Sequence, residues 1–239
     1  MEVIFVRHAR AYSNVRPKKV GSNARLTPEG LRQPKAVALQ LKQFADEGLI
    51  TSPLPSVIYS SPYHRTRQTA KGIARNLQPV SIFRHGQPEV IIDYRLKEIQ
   101  KGDWHGMTVA DIEPHESAIS REDRPYFRPP GELLKADAEN WFDVAERMVD
   151  FIQEREANGE TYLLIVSHNH PIESAIGKLT GMEVYDWDQN PISNASISRI
   201  VKKGDIWQID DRIYNVTPEL SKIKVSSFLN RPRRDQSVY

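Results

Sequence analysis

The chain has 239 residues, 39% hydrophobic and 27% charged, with a net charge of +2, the balance of an ordinary globular protein. So small a charge gives no reason to expect a nucleic-acid or membrane-surface partner. The sequence contains no cysteine, which excludes disulfides, thiolate catalysis and thiolate metal sites, and no apolar run approaches the ~20 residues of a membrane span.

The chain opens MEVIFVRHAR. Val3–Val6 is a continuous apolar run, as expected of a strand covered on both faces. Arg7 follows at once, unlike a secretory leader, so a cytoplasmic location is expected. Residues 11–25 are polar and basic and read as a loop. Leu26-Thr27-Pro28-Glu29 reads as a helix start, with Thr27 as N-cap and Pro28 in the first turn. Val37, Leu41 and Phe44 then share one helical face, and Pro34 should kink that helix or delay its regular part.

Ser56–Ser60 is a second short strand, and Ser61-Pro62 repeats the cap-plus-proline start of a helix running to about Leu77. A third strand is expected near Val90–Asp93. Residues 100–135 are rich in Gly, Pro, Arg and aromatics, and read as a long insertion with little regular structure. Trp141, Val144, Ala145, Met148 and Ile152 form a helical stripe. Thr161–Val166 is the strongest strand signal, followed by a helix over Pro171–Thr180. Ile197–Val201 and Trp207–Ile213, joined by Lys203-Gly204-Asp205, read as a hairpin.

Strands alternating with helices predict an α/β fold: a three-layer α/β/α sandwich with a mostly parallel central sheet and an irregular, lid-like insertion. One domain over residues 1–230 is the simplest count at roughly 100–200 residues per domain. The basic tail, 231–239, is expected to be disordered. The hairpin offers an edge through which two copies could pair, leaving a homodimer open.

In such sheets ligands bind beyond the carboxyl ends of the strands. Arg7, His8 and Arg10 follow the first strand, Ser61 and Arg65 the second, and Ser167, His168 and Asn169 the strongest one. Two histidines, several arginines and two helix N-termini therefore meet one sheet edge. Arginine forks and helix N-termini suit a phosphate group. A metal pair at His168 and His170 is the competing reading, but no carboxylate-rich sequence accompanies it.

The order of these residues resembles the histidine phosphatase superfamily, which includes the phosphoglycerate mutases. Arg7-His8-Ala9 stands where that family has Arg-His-Gly, and Asn14 where it has an Asn. Leu26-Thr27 with Gly30 resembles its Leu-Thr…Gly element. Ser60-Ser61-Pro62 through Arg65, Gln68, Thr69 and Ala70 resembles its Ser-Ser…Arg-Ala…Gln-Thr-Ala helix start. Leu96-Lys97-Glu98 with Gly102-Asp103-Trp104-His105-Gly106 resembles Leu-x-Glu…Gly-x-Trp-Glu-Gly, and Val166-Ser167-His168 its Val-Ser-His. Ala9, Arg10, His105, Asn169 and His170 depart from the pattern.

The resemblance implies a phosphoric monoester hydrolase working in two steps. His8 would take the phosphoryl group as phosphohistidine. Arg7, Arg65 and His168 would hold its oxygens, and Glu98 would act as general acid and then base, with a mildly acidic pH optimum. Asn14, Ser61, Arg10 and Asn169 are the further substrate-contact candidates. No metal or cofactor is required. Trp104 reads as a packing anchor, and His64, His85 and His115 as surface residues. Arg121, Arg124 and Arg128 of the insertion read first as a solvated loop; as a lid over the site they would, with Arg10, favour a small phosphorylated metabolite carrying a second anionic group. Glu98-Ile99-Gln100-Lys101-Gly102 stands where the mutases usually have Glu-Arg-His-Tyr-Gly, which favours a phosphatase over a mutase. A phospho-ligand-binding module with weak turnover is the third reading.

Overall fold

A computed structural model describes residues 1–15, 21–77, 86–129, 138–189 and 191–220. The basic tail, His85 and part of the loop after the first strand lie outside the described residues. The chain runs up β1 (Glu2–Arg7), through α1 (Gln33–Asp46) to β2 (Val57–Ser60), and through α2 (His64–Leu77) to β3 (Glu89–Ile92). It returns by way of α3 (Val109–Ser117) and α4 (Trp141–Ala157) to β4 (Tyr162–Ser167). Helix α5 (Asn169–Thr180) then leads to the hairpin of β5 (Ile197–Lys203) and β6 (Ile206–Ile209).

The sheet order is β3-β2-β4-β1-β5-β6. The first four strands are parallel, and β5 and β6 run antiparallel to their neighbours β1 and β5. Late in the chain, β4 slots between β2 and β1, so three strand ends from distant parts of the sequence lie side by side. The alternation of side chains along β1 feeds two cores. Ile4 and Val6 pack with Val37 and Leu41 of α1 and Ile73 of α2. Val3 and Phe5 pack with Met148 and Ile152 of α4 and Ile172 and Ile176 of α5. This is the three-layer sandwich expected from the alternating pattern.

Several boundaries differ from the sequence expectations. Residues 28–32 form turns, and α1 becomes regular at Gln33 with Pro34 in its first turn, the delayed start. Thr27 Oγ1 still accepts the Gly30 N–H at 3.0 Å, capping the preceding turn. Gly30 itself is required, since a Cβ there would lie 1.9 Å from the Arg10 carbonyl oxygen. Helix α2 likewise starts at His64. The insertion is more ordered than its sequence suggests. It holds a 3-10 turn at Gly102–Trp104 and α3, whose N-cap Thr108 and Asp111 form a capping box. Ile112 is the only buried residue on α3, and Pro114 sits inside it, so no apolar stripe announces this helix. Strand β6 ends at Ile209, and Asp211–Ile213 is a 3-10 turn.

Candidate active site

Strand register builds the site. Arg7 pairs with Ser167 across the parallel β1–β4 ladder, which carries His8 and His168 one residue past adjacent strand ends. Their ring centroids are 5.2 Å apart. Ser60 pairs with Val166, so Ser61 leaves β2 beside them, and its N–H donates to the Val166 carbonyl at 3.1 Å.

His8 is held on all sides. Its N–H donates to Ser167 O at 2.9 Å, and its carbonyl accepts from Ala195 N–H at 3.2 Å and from Asn194 Nδ2 at 3.0 Å. The next peptide is tied to α2: Ala9 N–H donates to Thr69 Oγ1 at 3.0 Å, and Thr69 Oγ1 donates to Arg65 O at 2.7 Å. His8 Nδ1 lies 2.9 Å from Ala9 O. A carbonyl only accepts, so Nδ1 carries the proton and Nε2 keeps its lone pair. Burial, then the Arg65 and Arg7 guanidinium charges, hold the imidazole pKa well below 6.5. The ring is therefore a neutral base at neutral pH.

His168 is fully buried, and Ser61 Oγ lies 2.8 Å from its Nε2. Ser61 Oγ also accepts from Tyr63 N–H at 3.4 Å. His168 is the acceptor that remains for the hydroxyl proton among the described residues, so the ring proton belongs on Nδ1. That atom is buried without a partner, 4.0 Å from Glu98 Oε2. Burial, followed by Arg65, His8 and Arg7, pushes this ring's pKa well below 6.5 too, so the pair with Glu98 is not an ion pair at neutral pH.

Arg7 Nη1 donates to the Ile192 carbonyl and, at 3.4 Å, to Asn169 Oδ1. Arg65 Nη1 donates to Ser22 O at 2.6 Å, and its guanidinium lies 4.8 Å from the Tyr63 ring centre. Among the described residues six buried side-chain N and O atoms lack a hydrogen-bond partner, and three of them are Arg7 Nε, Arg65 Nε and His168 Nδ1. Buried donors are normally satisfied. Three unsatisfied donors on neighbouring residues suit the oxygens of an anion.

Arg7, His8, Asn14, Arg65 and Glu98 line one cleft of about 190 Å³. Asn14 Oδ1 accepts Ala11 N–H at 2.9 Å, fixing the loop above the cleft. The other candidates sit differently. Arg10 is exposed and ion-pairs with Glu29 at 2.6 Å, outside the cleft lining. Its place in the turn after β1 turns sequence neighbourhood into spatial separation. Ser61 bonds His168, and Asn169 bonds Arg7, so both stand behind the lining. The sequence reading gave no site role to Asn194 or Tyr63, named Thr69 only within the resembling helix start, and weighed His170 only as half of a metal pair. His170 lines the cleft together with Lys101 and Ile99. These three residues also line a side chamber of about 290 Å³.

That chamber lies under the insertion, with Phe127 and Trp141 in its wall. Each of the insertion's arginines has an acidic neighbour. Arg121 faces Asp186 at 3.6 Å, Arg124 faces Asp188 at 3.9 Å, and Arg128 faces Asp143 at 2.6 Å. Lys101 pairs with Glu116 at 2.9 Å. Trp104 is buried and stacks on Phe127 with centroids 5.4 Å apart, as a packing anchor does. Among the described residues no group of three or more His, Asp or Glu is placed to hold a metal ion, and no helix is long and apolar enough to cross a membrane.

The sequence profile of the histidine phosphatase superfamily (branch 1) matches residues 3–213. The chain belongs to this superfamily. As a histidine phosphatase it is a phosphoric monoester hydrolase, and its curated relatives are phosphatases. It is 29% identical over 204 residues to phosphoserine phosphatase 1 of Hydrogenobacter thermophilus, covering 84% of this chain and 86% of that one. It is 28% identical over 141 residues to glucosyl-3-phosphoglycerate phosphatase of Mycolicibacterium vanbaalenii, covering 56% and 57%. A solved mycobacterial glucosyl-3-phosphoglycerate phosphatase in complex with VO3 shares the fold, with a TM-score of 0.71 at 24% identity, over 90% of this chain and 98% of that one.

Proposed function

We propose that this histidine phosphatase hydrolyses a small phosphorylated metabolite without a metal ion, through a phosphohistidine on His8. The observation that carries the reading is the Nδ1–H bond from His8 to Ala9 O. It leaves Nε2 as a lone pair on a neutral ring beside the two buried arginines.

In the first step the Nε2 lone pair forms a bond to phosphorus as the bond to the alcohol oxygen breaks, in line with the attack. Arg7, Arg65 and His168 Nδ1–H donate to the phosphoryl oxygens, each such donor worth roughly 10²–10³ in rate. Glu98 gives its proton to the departing alcohol. In the second step Glu98 takes a proton from water, the oxygen attacks phosphorus, and His8 leaves as neutral imidazole. Glu98 thus ends as it began. Ser61 fixes the tautomer of His168, and Asn14 fixes the loop that carries the nucleophile.

The alcohol half of the substrate would enter the side chamber. Its aromatic wall and its already paired cations favour a leaving group without a second phosphate, in contrast to what the insertion's arginines suggest in sequence. The first test is aryl-phosphate hydrolysis with a chelator present, by wild type and His8→Ala. An active wild type with an inactive variant supports the proposal. Activity that survives loss of His8, or that vanishes with the chelator, overturns it.

A further inference from the structure

Glu173 has no part in the steps above, yet it is connected to the phosphate cleft. It lies one turn into α5, is 4% exposed, and accepts a 2.7 Å hydrogen bond from Asn169 Nδ2 at Oε2. The same amide accepts from Arg7 Nη1 through Oδ1 at 3.4 Å. Ile192 touches both sides of this link: its carbonyl accepts from Arg7, and its backbone N–H favours the charged form of Glu173. The other carboxyl oxygen, Oε1, is buried with no partner. A half-satisfied carboxylate so deep in a fold is costly, so this group has a strong reason to hold a proton.

We propose that Glu173 is a positioning residue that tunes how tightly Arg7 holds a dianionic phosphoryl group, weakening the hold whenever Glu173 is ionised. The proposal rests on the reading of the cleft as a phosphoryl site and deepens it by adding regulation.

The groups facing Glu173 come from several segments. Arg7 at the end of β1 favours its charged form, as do the bonds from Asn169 and Ile192, while Glu98, beyond β3, opposes it. Tyr214, after β6, also feels its charge. Burial outweighs the favourable contacts and raises the carboxyl pKa to about 8. Near neutral pH Glu173 is therefore largely protonated, and Arg7 directs its full positive charge to the cleft. Above pH 8 the carboxylate competes with the bound dianion for the same guanidinium. By linkage, a dianion entering the cleft draws a proton onto Glu173.

The probe is sulfate, which stays a dianion across the range and so adds no titration of its own. Its dissociation constant is measured from about pH 6.5 to about pH 9 on wild type and on Glu173→Gln, which keeps the shape of a protonated carboxyl. The wild-type constant should rise about tenfold across that range, as for one unit charge acting through a short relay. The variant should stay nearly flat and bind more tightly at the alkaline end. In aryl-phosphate turnover the KM should follow the same pattern, with the ratio of variant to wild-type kcat unchanged by pH. A purely structural role would not produce that split. If both proteins bind sulfate with the same pH dependence, the assignment of Glu173 fails while the cleft stands. If neither binds sulfate, the phosphoryl cleft fails and the proposal with it. Should the variant not fold, calorimetry on wild type decides: sulfate binding at pH 8 in two buffers of different ionisation enthalpy should show net proton uptake, and none would overturn the proposal.

Discussion

Thr69→Val isolates the part of the scaffold that holds the nucleophile. Thr69 Oγ1 accepts from Ala9 N–H at 3.0 Å and donates to Arg65 O at 2.7 Å, and its neighbourhood is fully buried. Valine fills the same space, so no cavity opens and the change removes only the hydroxyl. The Arg65 carbonyl keeps its place within α2 and loses little. The Ala9 N–H loses its one partner and stays buried, which costs about 1–3 kcal/mol. At about 2 kcal/mol the melting temperature of a chain this size should drop by about 4–8 °C. The functional loss should exceed what stability explains. Ala9 O orients His8 Nδ1, so a shift of the backbone at Ala9 misdirects Nε2, and kcat should fall by roughly tenfold to a hundredfold. KM should change little, because Arg7 and Arg65 remain. Urea unfolding and steady-state kinetics on one preparation measure both. If stability is unchanged and kcat stays within about twofold, the Thr69 tie does not position the nucleophile and the reasoning is refuted.

Glu98→Gln should hurt most where the leaving group most needs a proton: kcat for an alkyl phosphate should fall by about 10²–10⁴, and for a nitrophenyl phosphate far less. Equal losses for both would remove Glu98 from the role of acid. Because burial and the two arginines lower the His8 pKa, the nucleophile stays neutral as pH drops through 6.5, and protonation of His8 should give no acid limb there in kcat/KM. Such a limb, absent when the substrate's own titration is subtracted, supports the neutral ring; present, it contradicts it. Arg199→Met should destabilise by about 1–3 kcal/mol, since the buried Glu2 carboxylate loses its cation at 2.9 Å and keeps only Thr51, while Asp210 keeps its bonds from Arg212; chemical denaturation checks it. Arg124→Ala with Arg128→Ala should cost less than about 1 kcal/mol each, as exposed pairs do, and should leave KM for a bisphosphate unchanged relative to a monophosphate.

Much of this site was legible because its groups follow strands directly. A continuous apolar run that ends in Arg-His has few places to put those side chains other than the sheet edge, and Arg7, His8, Arg65 and Glu98 do share one cleft. What the sequence could not disclose was pairing across long separations. Ser61 and His168 are 107 positions apart, and only the late insertion of β4 between β2 and β1 brings them together. Ser61 read as a phosphate or nucleophile-positioning contact, and its bond to the ring nitrogen of His168 had no sequence signal. Arg10 misled for the opposite reason: three residues from Arg7 in sequence, it is carried by the turn to Glu29. Helix α3 was hidden because a single buried residue and an internal proline leave no periodic stripe. The insertion's arginines left both a solvated loop and a lid open, because their acidic partners, Asp143, Asp186 and Asp188, lie in other segments. Glu173 lies within the helix expected over 171–180 and nothing in the sequence marks it, since burial of a carboxylate is a tertiary fact.

The account stands or falls on covalent chemistry at His8. Wild-type protein mixed with excess aryl phosphate and quenched at alkaline pH, where phosphohistidine survives, should show the mass of one added phosphoryl group by intact-mass spectrometry. Digestion should place it on the peptide holding His8, mild acid should remove it, and His8→Ala should lack it. A phosphoryl group trapped on another residue, or turnover by wild type with no trapped group even when Glu98→Gln slows its hydrolysis, would contradict the account.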